Sequence, residues 1–308
     1  MPPELTGLPN STPLPTQLPT QFPTPDFDLA ELRLVALDMD GSLLDDEKRL
    51  PDEFWPVLGR LLERGVVVCP ASGRQYATLR HGMGRDDLTY IAENGSLVVH
   101  DGQTLAVTPL ALELAREVVR SVRDAVAGGA DHGTVLCGEA SAYVERTDEA
   151  FLEHVRPYYH RLALVDDLTA VQDTVLKVAV YDFGPAQDGA GPLLSGFDER
   201  ARVLVSGEHW VDVMDGAADK GAALRAVQRR LGIGPEHTMA FGDYFNDVGM
   251  LGAARWSFAM ANAHPDVIGH ARFVAPSNND AGVVRTLVAA LDAGTPDGGP
   301  LEIGVVRT

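Results

Sequence analysis

The sequence predicts an α/β fold: a Rossmann-like, mostly parallel sheet core interrupted by an inserted α+β domain. Three observations lead there. Short runs of branched apolar residues alternate with helix-period stretches, the pattern of a parallel sheet covered on both faces. Several of these runs end in acidic or glycine-bearing clusters, and in an open α/β sheet ligands bind beyond the carboxyl ends of the strands. Between residues 107 and 211 the alternation gives way to runs of strands, the mark of a separate α+β unit.

Residues 1–28 are rich in Pro and Thr and poor in large apolar side chains, so a disordered leader is expected there. The core is expected over 29–106 and 212–292. Its first strand is the run Leu32-Arg33-Leu34-Val35-Ala36-Leu37, which hands over to Asp38-Met39-Asp40-Gly41-Ser42-Leu43. From Pro51, the residues Phe54, Val57, Leu58, Leu61 and Leu62 share a helix face that Gly65 ends. Val66-Val67-Val68-Cys69 is the second strand and runs into Pro70-Ala71-Ser72-Gly73-Arg74, read as the opening of a helix. Leu88-Thr89-Tyr90-Ile91-Ala92 is the third. Glu93-Asn94-Gly95 then marks a turn, and Leu97-Val98-Val99 before Asp101-Gly102 predicts hairpins.

The inserted domain is expected over 107–211. A helix spans 110–126, short strands cover 134–137 and 141–144, and a helix lies near 148–161. A strand follows at 175–181, and 201–205 with 210–213 forms a closing hairpin. Alternation then resumes. Asp219 caps a helix over 222–231, with Lys220 in its first turn. Thr238-Met239-Ala240-Phe241 ends in Gly242-Asp243-Tyr244-Phe245-Asn246-Asp247, and Trp256-Ser257-Phe258-Ala259-Met260 ends in Ala261-Asn262-Ala263. Pro265 opens a short helix, 272–275 is the last strand and 281–291 the last helix. Residues 293–308 are expected to be a flexible tail.

Composition bounds the function. The chain has 308 residues and 45% hydrophobic content, enough for two ordinary domains with a real core. Its 25 Lys and Arg against 44 Asp and Glu give a formal charge of −19. That charge argues against nucleic acid or an anionic membrane as partner, and an anionic substrate would need a local cation. Cys69 and Cys137 lie in apolar runs and are expected as buried free thiols, consistent with a reducing cytoplasm. No apolar run reaches membrane-span length, and the N-terminus lacks the pattern of a signal peptide.

The strand-end clusters carry chemistry. Asp38 and Asp40 lie close enough to repel unless a cation sits between them. A hard divalent ion such as Mg²⁺ favours such oxygens. A metal-bound aspartate can attack phosphorus and form an aspartyl-phosphate, and a second acid can protonate the leaving oxygen and then activate water. An Asp-rich turn closed by Gly41 is the other reading. Ser72-Gly73 offers free backbone N–H groups to an anion, or serves as a plain N-cap. Lys220 is a cation at the positive end of a helix dipole, so it either has a task there or sits on the surface. Asn94 is a turn residue or a contact to substrate. Asp243, Asn246 and Asp247 form a second acidic cluster.

Asp38-x-Asp40-Gly, Ser72, Lys220 and Gly-Asp243-x-x-Asn246-Asp247, in that order, resemble the haloacid dehalogenase superfamily of phosphohydrolases. The insertion between the Ser and the Lys resembles the large cap of its Cof-like sugar-phosphatase branch. Glu93-Asn94-Gly95, Met260-Ala261-Asn262-Ala263 and Asn279-Asp280-Ala281-Gly282-Val283 are similar to secondary signatures of that branch. The resemblance covers 31–292. It implies Asp38 as nucleophile and Mg²⁺ ligand, and Asp40 as general acid and base with its carbonyl on the metal. It implies Ser72 and Lys220 as catalytic groups on the phosphoryl oxygens and the nucleophile. Asp243 would complete the Mg²⁺ site with Asp247. Gly41, Gly73, Arg74, Asn94 and Asn246 are the phosphate- and substrate-binding positions. Tyr244 and Phe245 depart from the smaller or polar residues common in the branch. Ser stands for the more usual Thr at 42 and 72 and keeps the hydroxyl.

The expected activity is therefore Mg²⁺-dependent hydrolysis of a small phosphorylated metabolite through an aspartyl-phosphate. A sugar phosphate is the first choice and a cofactor phosphate the second. A phosphomutase or phosphotransferase is the alternative enzyme, and a non-catalytic phosphometabolite sensor the alternative class. His132, Glu139, Arg146, Arg156, Tyr158, His160 and His209 of the insertion either face substrate or are solvated surface. A monomer is the default.

Overall fold

The computed structural model describes residues 31–292 and 304–305; the expected leader and most of the expected tail lie outside them. The core elements up to the insertion are β1 (Leu34–Asp38), α1 (Phe54–Glu63), β2 (Val67–Ala71), α2 (Tyr76–Met83), β3 (Thr89–Ala92), β4 (Leu97–His100) and β5 (Gln103–Val107). The insertion contains α3 (Leu112–Ala127), β6 (His132–Gly138), β7 (Ala142–Val144), α4 (Glu149–Val155), β8 (Leu162–Leu164), β9 (Val175–Asp182), α5 (Ala190–Leu194), β10 (Arg202–Val205) and β11 (Trp210–Met214). The core resumes with α6 (Lys220–Leu231), β12 (Thr238–Gly242), α7 (Val248–Leu251), β13 (Trp256–Met260), α8 (Pro265–Ile268), β14 (Phe273–Ala275), α9 (Gly282–Asp292) and β15 (Gly304–Val305).

The core sheet runs β15-β14-β13-β12-β1-β2-β3-β4-β5. From β14 through β3 every pairing is parallel, and β4, β5 and β15 add antiparallel edges. All five residues of β1 are buried because both faces are covered. Val35 and Leu37 pack in the cluster that holds Phe54, Leu58, Leu79 and Leu287 from α1, α2 and α9. Leu34 and Ala36 pack with Ala223, Leu224, Val227 and Met250 from α6 and α7. That two-sided burial is why the strand reads as an unbroken apolar run. The chain leaves β1 for β2 on one side and returns as β12 on the other, so the topological switch point lies beside β1.

The second sheet runs β10-β11-β9-β6-β7-β8, mainly antiparallel, with β8 added parallel to β7. Helices α3 and α5 pack on one face and α4 on the other. Cys69 and Cys137 are buried free thiols. This sheet is tied to the core by reciprocal bonds. Gln75 Nε2 donates to the Arg161 carbonyl at 2.8 Å, and the Arg161 N–H donates to Gln75 Oε1 at 3.0 Å. Thr78 Oγ1 donates to the Tyr158 carbonyl at 2.8 Å and accepts from the His160 N–H at 2.9 Å.

Several boundaries differ from expectation. The expected break at 211/212 falls inside β11, whose register with β9 continues to Met214, so the second sheet ends there. Helix α4 stops at Val155 rather than near 161, because Pro157 cannot donate the next helical bond. Helix α2 begins at Tyr76 after Gln75. Ser72-Gly73 therefore lies in a loop and does not open a helix. Within the expected tail, Gly304 and Val305 pair antiparallel with β14. Among the described residues no helix is long and apolar enough to cross a membrane.

Candidate active site

Three adjacent strands deliver the chemistry to one crevice. β1 ends in Asp38, β2 leads into Ser72, and β12 leads into Asp243. The chain does not simply run on from β1. Backbone bonds from Leu43 N–H to the Asp38 carbonyl (3.2 Å) and from Leu44 N–H to the Met39 carbonyl (2.8 Å) fold 38–44 into a tight loop. Gly41 sits in it at φ +83°, and a Cβ there would lie 2.2 Å from Asp243 Oδ2. Only glycine permits both that backbone and that approach.

Asp38 and Lys220 meet at the centre. The Lys220 ammonium donates to Asp38 Oδ1 at 2.5 Å and to Asp247 Oδ1 at 2.8 Å, and the lysine is 1% exposed. Its place at the first turn of α6 follows from Asp219, whose carboxylate caps the helix by accepting from the Ala222 N–H at 2.8 Å. The two carboxylates offset the unfavourable end of the helix dipole, and Lys220 lies buried between them rather than on the surface. Asp247 Oδ2 accepts from the backbone N–H groups of Asp243 (3.0 Å) and Tyr244 (3.2 Å). Both oxygens of Asp247 are thus engaged. Asp38 Oδ2, by contrast, is buried without a hydrogen-bond partner.

The acids outnumber the cation. Oxygens of Asp38, Asp243 and Asp247 lie within 4.8 Å of one another. Burial first, then the neighbouring Asp247 charge, push the Asp38 carboxyl well above the usual range, against the pull of Lys220. The same two causes raise Asp243 to about 6. A hard, oxygen-seeking divalent ion fits this donor set, because it neutralises the excess negative charge of the three carboxylates. The sign of the pH effect follows. A carboxyl whose pKa rises on folding binds more protons folded than unfolded, so stability falls as pH climbs from the unfolded value towards about 6. Metal-free protein is therefore expected to melt higher at pH about 5 than at pH about 7.5. Asp243→Asn should flatten that slope, and scanning calorimetry in EDTA measures both. An Asp243→Asn slope equal to the parent's would remove this account of the cluster.

Asp40 lies at the rim. Arg74 grips it with two bonds, Nε to Oδ2 at 2.9 Å and Nη2 to Oδ1 at 2.6 Å, and Lys48 adds an ion pair at 3.0 Å. Burial raises its pKa, but the Arg74 bonds and charge, with those of Lys48, outweigh it and leave the carboxyl below its ordinary value. Arg74, expected on phosphate, is thus engaged with Asp40. Ser72 is buried, and its hydroxyl accepts from the Arg74 N–H at 3.2 Å. Asn94 Oδ1 accepts from Asn246 Nδ2 at 3.2 Å, so these two expected substrate contacts touch each other. The Gly73 carbonyl accepts from Lys177 of β9 at 3.0 Å.

A model of the haloacid dehalogenase-like hydrolases matches residues 35–287. The chain belongs to the haloacid dehalogenase-like hydrolases. Among relatives of this hydrolase is the Escherichia coli 5-amino-6-(5-phospho-D-ribitylamino)uracil phosphatase YbjI, 30% identical over 86% of this chain and 98% of that one. An HMP-PP phosphatase from Escherichia fergusonii is 29% identical over 80% of this chain and 93% of its own. The structure of SMU.1108c from Streptococcus mutans superposes with a TM-score of 0.71 at 26% identity, covering 84% of this chain and 99% of the other.

Within this hydrolase, two asparagines take parts that sequence reasoning did not assign. Asn262 Nδ2 donates to the Gly41 carbonyl at 2.8 Å, and its Oδ1 accepts from the Asn278 N–H at 2.9 Å. Asn278 Nδ2 in turn donates to the Leu44 carbonyl at 3.1 Å. Together they brace the loop after β1. Asn262 belongs to the Met260-Ala261-Asn262-Ala263 stretch, and no local pattern reveals its role. The candidates in the insertion are mostly occupied within it. Arg146 pairs with Asp131 and Asp148, Arg156 with Glu149, and His209 Nδ1 with the carbonyls of Asp182 and Gly184. His160 stacks on His81 of α2 at 4.0 Å between ring centroids.

Proposed function

We propose that this chain is a Mg²⁺-dependent phosphatase that hydrolyses a small phosphorylated metabolite through an aspartyl-phosphate on Asp38. The phosphatase class rests on the family and on relatives named as phosphatases. The observation that carries the mechanism is the carboxylate of Asp38. One oxygen is fixed by Lys220, and the other is buried, unpartnered and at the switch-point crevice. Such a carboxylate is an oriented nucleophile.

Asp38 Oδ2 forms the bond to phosphorus as the bond to the leaving oxygen breaks. Asp40, once released from Arg74, gives that oxygen its proton. It then takes a proton from the water that cleaves the acyl phosphate and regenerates Asp38. Ser72, Asn246 and Lys220 hold the phosphoryl oxygens, supplying the positioning and charge balance that a loose transition state requires. Asp38, Asp243 and the Asp40 carbonyl would hold the metal, with Asp247 behind them, bonded to Lys220 and to the backbone N–H groups of Asp243 and Tyr244. When bound, the ion would supply charge neutralisation at the phosphoryl group. Phosphate release from a panel of phosphorylated metabolites, in Mg²⁺ and in EDTA, is the test. Release that stops in EDTA supports the reading, and a panel without any release by folded protein overturns it.

One observation favours a ring-bearing substrate over a plain sugar phosphate. Tyr244 and Phe245 follow Asp243 directly and are 54% and 48% exposed. With His264 they form a cluster, with ring centroids at 5.2 Å and 4.7 Å along the chain of contacts. Exposed aromatics beside a phosphate site offer a stacking platform, and one relative is named as a phosphatase of a phosphorylated uracil derivative. Phe245→Ala is expected to raise KM about tenfold for a phosphorylated heteroaromatic compound, the weight of one stacked ring pair. It should leave KM for a hexose phosphate unchanged. Equal effects on both would restore the sugar phosphate as first choice.

A further inference from the structure

The mechanism leaves one group of buried charges unused. Lys177 of β9 is 4% exposed, and its ammonium lies 2.9 Å from Glu93 Oε2, 3.2 Å from Asp212 Oδ2 and 3.0 Å from the Gly73 carbonyl. Lys177 and Asp212 belong to the second sheet, while Glu93 and Gly73 belong to the core. Glu93 is 1% exposed, and its Oε1 has no hydrogen-bond partner. Burying three charges in one contact is costly unless they remain paired. The contact therefore holds only while the second sheet is seated.

Glu93 also stands in an unusual turn. Glu93, Asn94 and Gly95 have φ of +49°, +55° and +98°. Two consecutive non-glycine residues in that region persist only where surroundings impose it. Every residue of the turn touches a different part of the site. The Glu93 N–H donates to the Arg74 carbonyl at 3.1 Å, and the Asn94 N–H to the Ser72 carbonyl at 3.0 Å. Asn94 Oδ1 meets Asn246. A Cβ on Gly95 would lie 2.4 Å from the Asp219 carbonyl, at the cap of the helix that begins with Lys220. The turn is therefore a hub that fixes Arg74, Ser72, Asn246 and Lys220 relative to one another.

We propose that Lys177 is a positioning residue that, through Glu93, locks this turn and so completes the site only when the second sheet is docked. The proposal rests on the phosphatase reading for its kinetic consequence, but not for its structural one. In Lys177→Met, kcat for p-nitrophenyl phosphate in Mg²⁺ should fall about 100-fold, the size of effect seen when reacting groups are misplaced by about 1 Å, while KM changes little. Glu93→Gln should show the same split. The double variant should lose no more than the worse single, because both act through one contact. Arg123→Gln breaks an ion cluster with Glu145 and Asp167 inside the insertion. It should lower Tm and leave kcat alone, which separates positioning from general loss of stability.

Amide exchange at 93–96 gives an answer that needs no turnover. Lys177→Met should exchange there faster than the parent protein. If Lys177→Met does not fold, Glu93→Gln carries the test, since Lys177 keeps Asp212 and Gly73 as partners. Full kcat in Glu93→Gln, additive losses in the double variant, or unchanged exchange at the turn would each overturn the proposal. A parent protein inactive on p-nitrophenyl phosphate would count against the phosphatase reading, and the exchange measurement would still decide this one.

Discussion

Asp38→Asn is expected to abolish turnover and, in metal-free protein, to raise the melting temperature. The two effects have one origin. The lost oxygen is the proposed nucleophile, and removing a nucleophile from an otherwise intact site costs at least about 10⁴-fold in kcat. The lost charge is one that the fold holds at a disadvantage. Burial, then the charge of Asp247, raises the Asp38 pKa despite Lys220, so folding shifts the group's balance towards the neutral form. An isosteric amide supplies that neutrality at every pH and still accepts from Lys220. In EDTA at neutral pH the variant should therefore melt above the parent. With Mg²⁺ the order should reverse, because an ion bound through the proposed Asp38 ligand stabilises only the chain that keeps that carboxylate. Phosphate release and calorimetry with and without Mg²⁺ measure both. A variant that keeps turnover would remove Asp38 from the chemistry. A variant that keeps its biological response without turnover would point to a phosphometabolite sensor.

The strand-end and helix-cap half of this constellation was legible because its physics is local. β1 is buried on both faces and so writes an unbroken apolar run, and the run ends where Asp38 begins. Asp219 caps α6 three residues before its bonding partner, and a lysine at the positive end of a helix is a visible anomaly. What was not legible depends on contacts made far along the chain. Glu93 and Lys177 meet through the docking of two sheets, and no periodicity in either segment announces the other. Ser72-Gly73 looked like a helix opening because strand end and helix start are separated by a short polar loop that reads the same way. The grip of Arg74 on Asp40 joins residues after two neighbouring strands. It follows from the parallel pairing of β1 with β2, which spacing alone does not reveal. Asn262 and Asn278 brace the loop after β1 from loops following β13 and β14, so their task appears only once the sheet order is known.

Lys220→Met should be the most destabilising single change in the site. The side chain is buried between Asp38 and Asp247. Methionine fills much of the same volume, so packing is nearly kept while the cation is lost. Two buried carboxylates then face each other and Asp243 without compensation. Removing one partner of a buried ion pair costs about 3–5 kcal/mol, and for a chain of this size that is a fall in Tm of about 10 °C. Turnover should drop by at least about 10²-fold, since the preorganised cation proposed to steady the transferring group is lost. The decisive observation is how the two losses respond to Mg²⁺. The ion relieves repulsion among the same carboxylates, so it should recover much of the lost Tm. It cannot replace the ammonium that orients Asp38, so kcat should stay low. Lys220→Arg is not expected to restore activity, because a planar fork does not fit a site built for a point charge between two single oxygens. If Mg²⁺ recovered kcat in step with Tm, Lys220 would be a counter-ion for stability alone. A Lys220→Met protein with the parent's Tm in EDTA would mean that the three carboxylates are not under mutual strain, and the argument for a divalent ion at this site would fall with it.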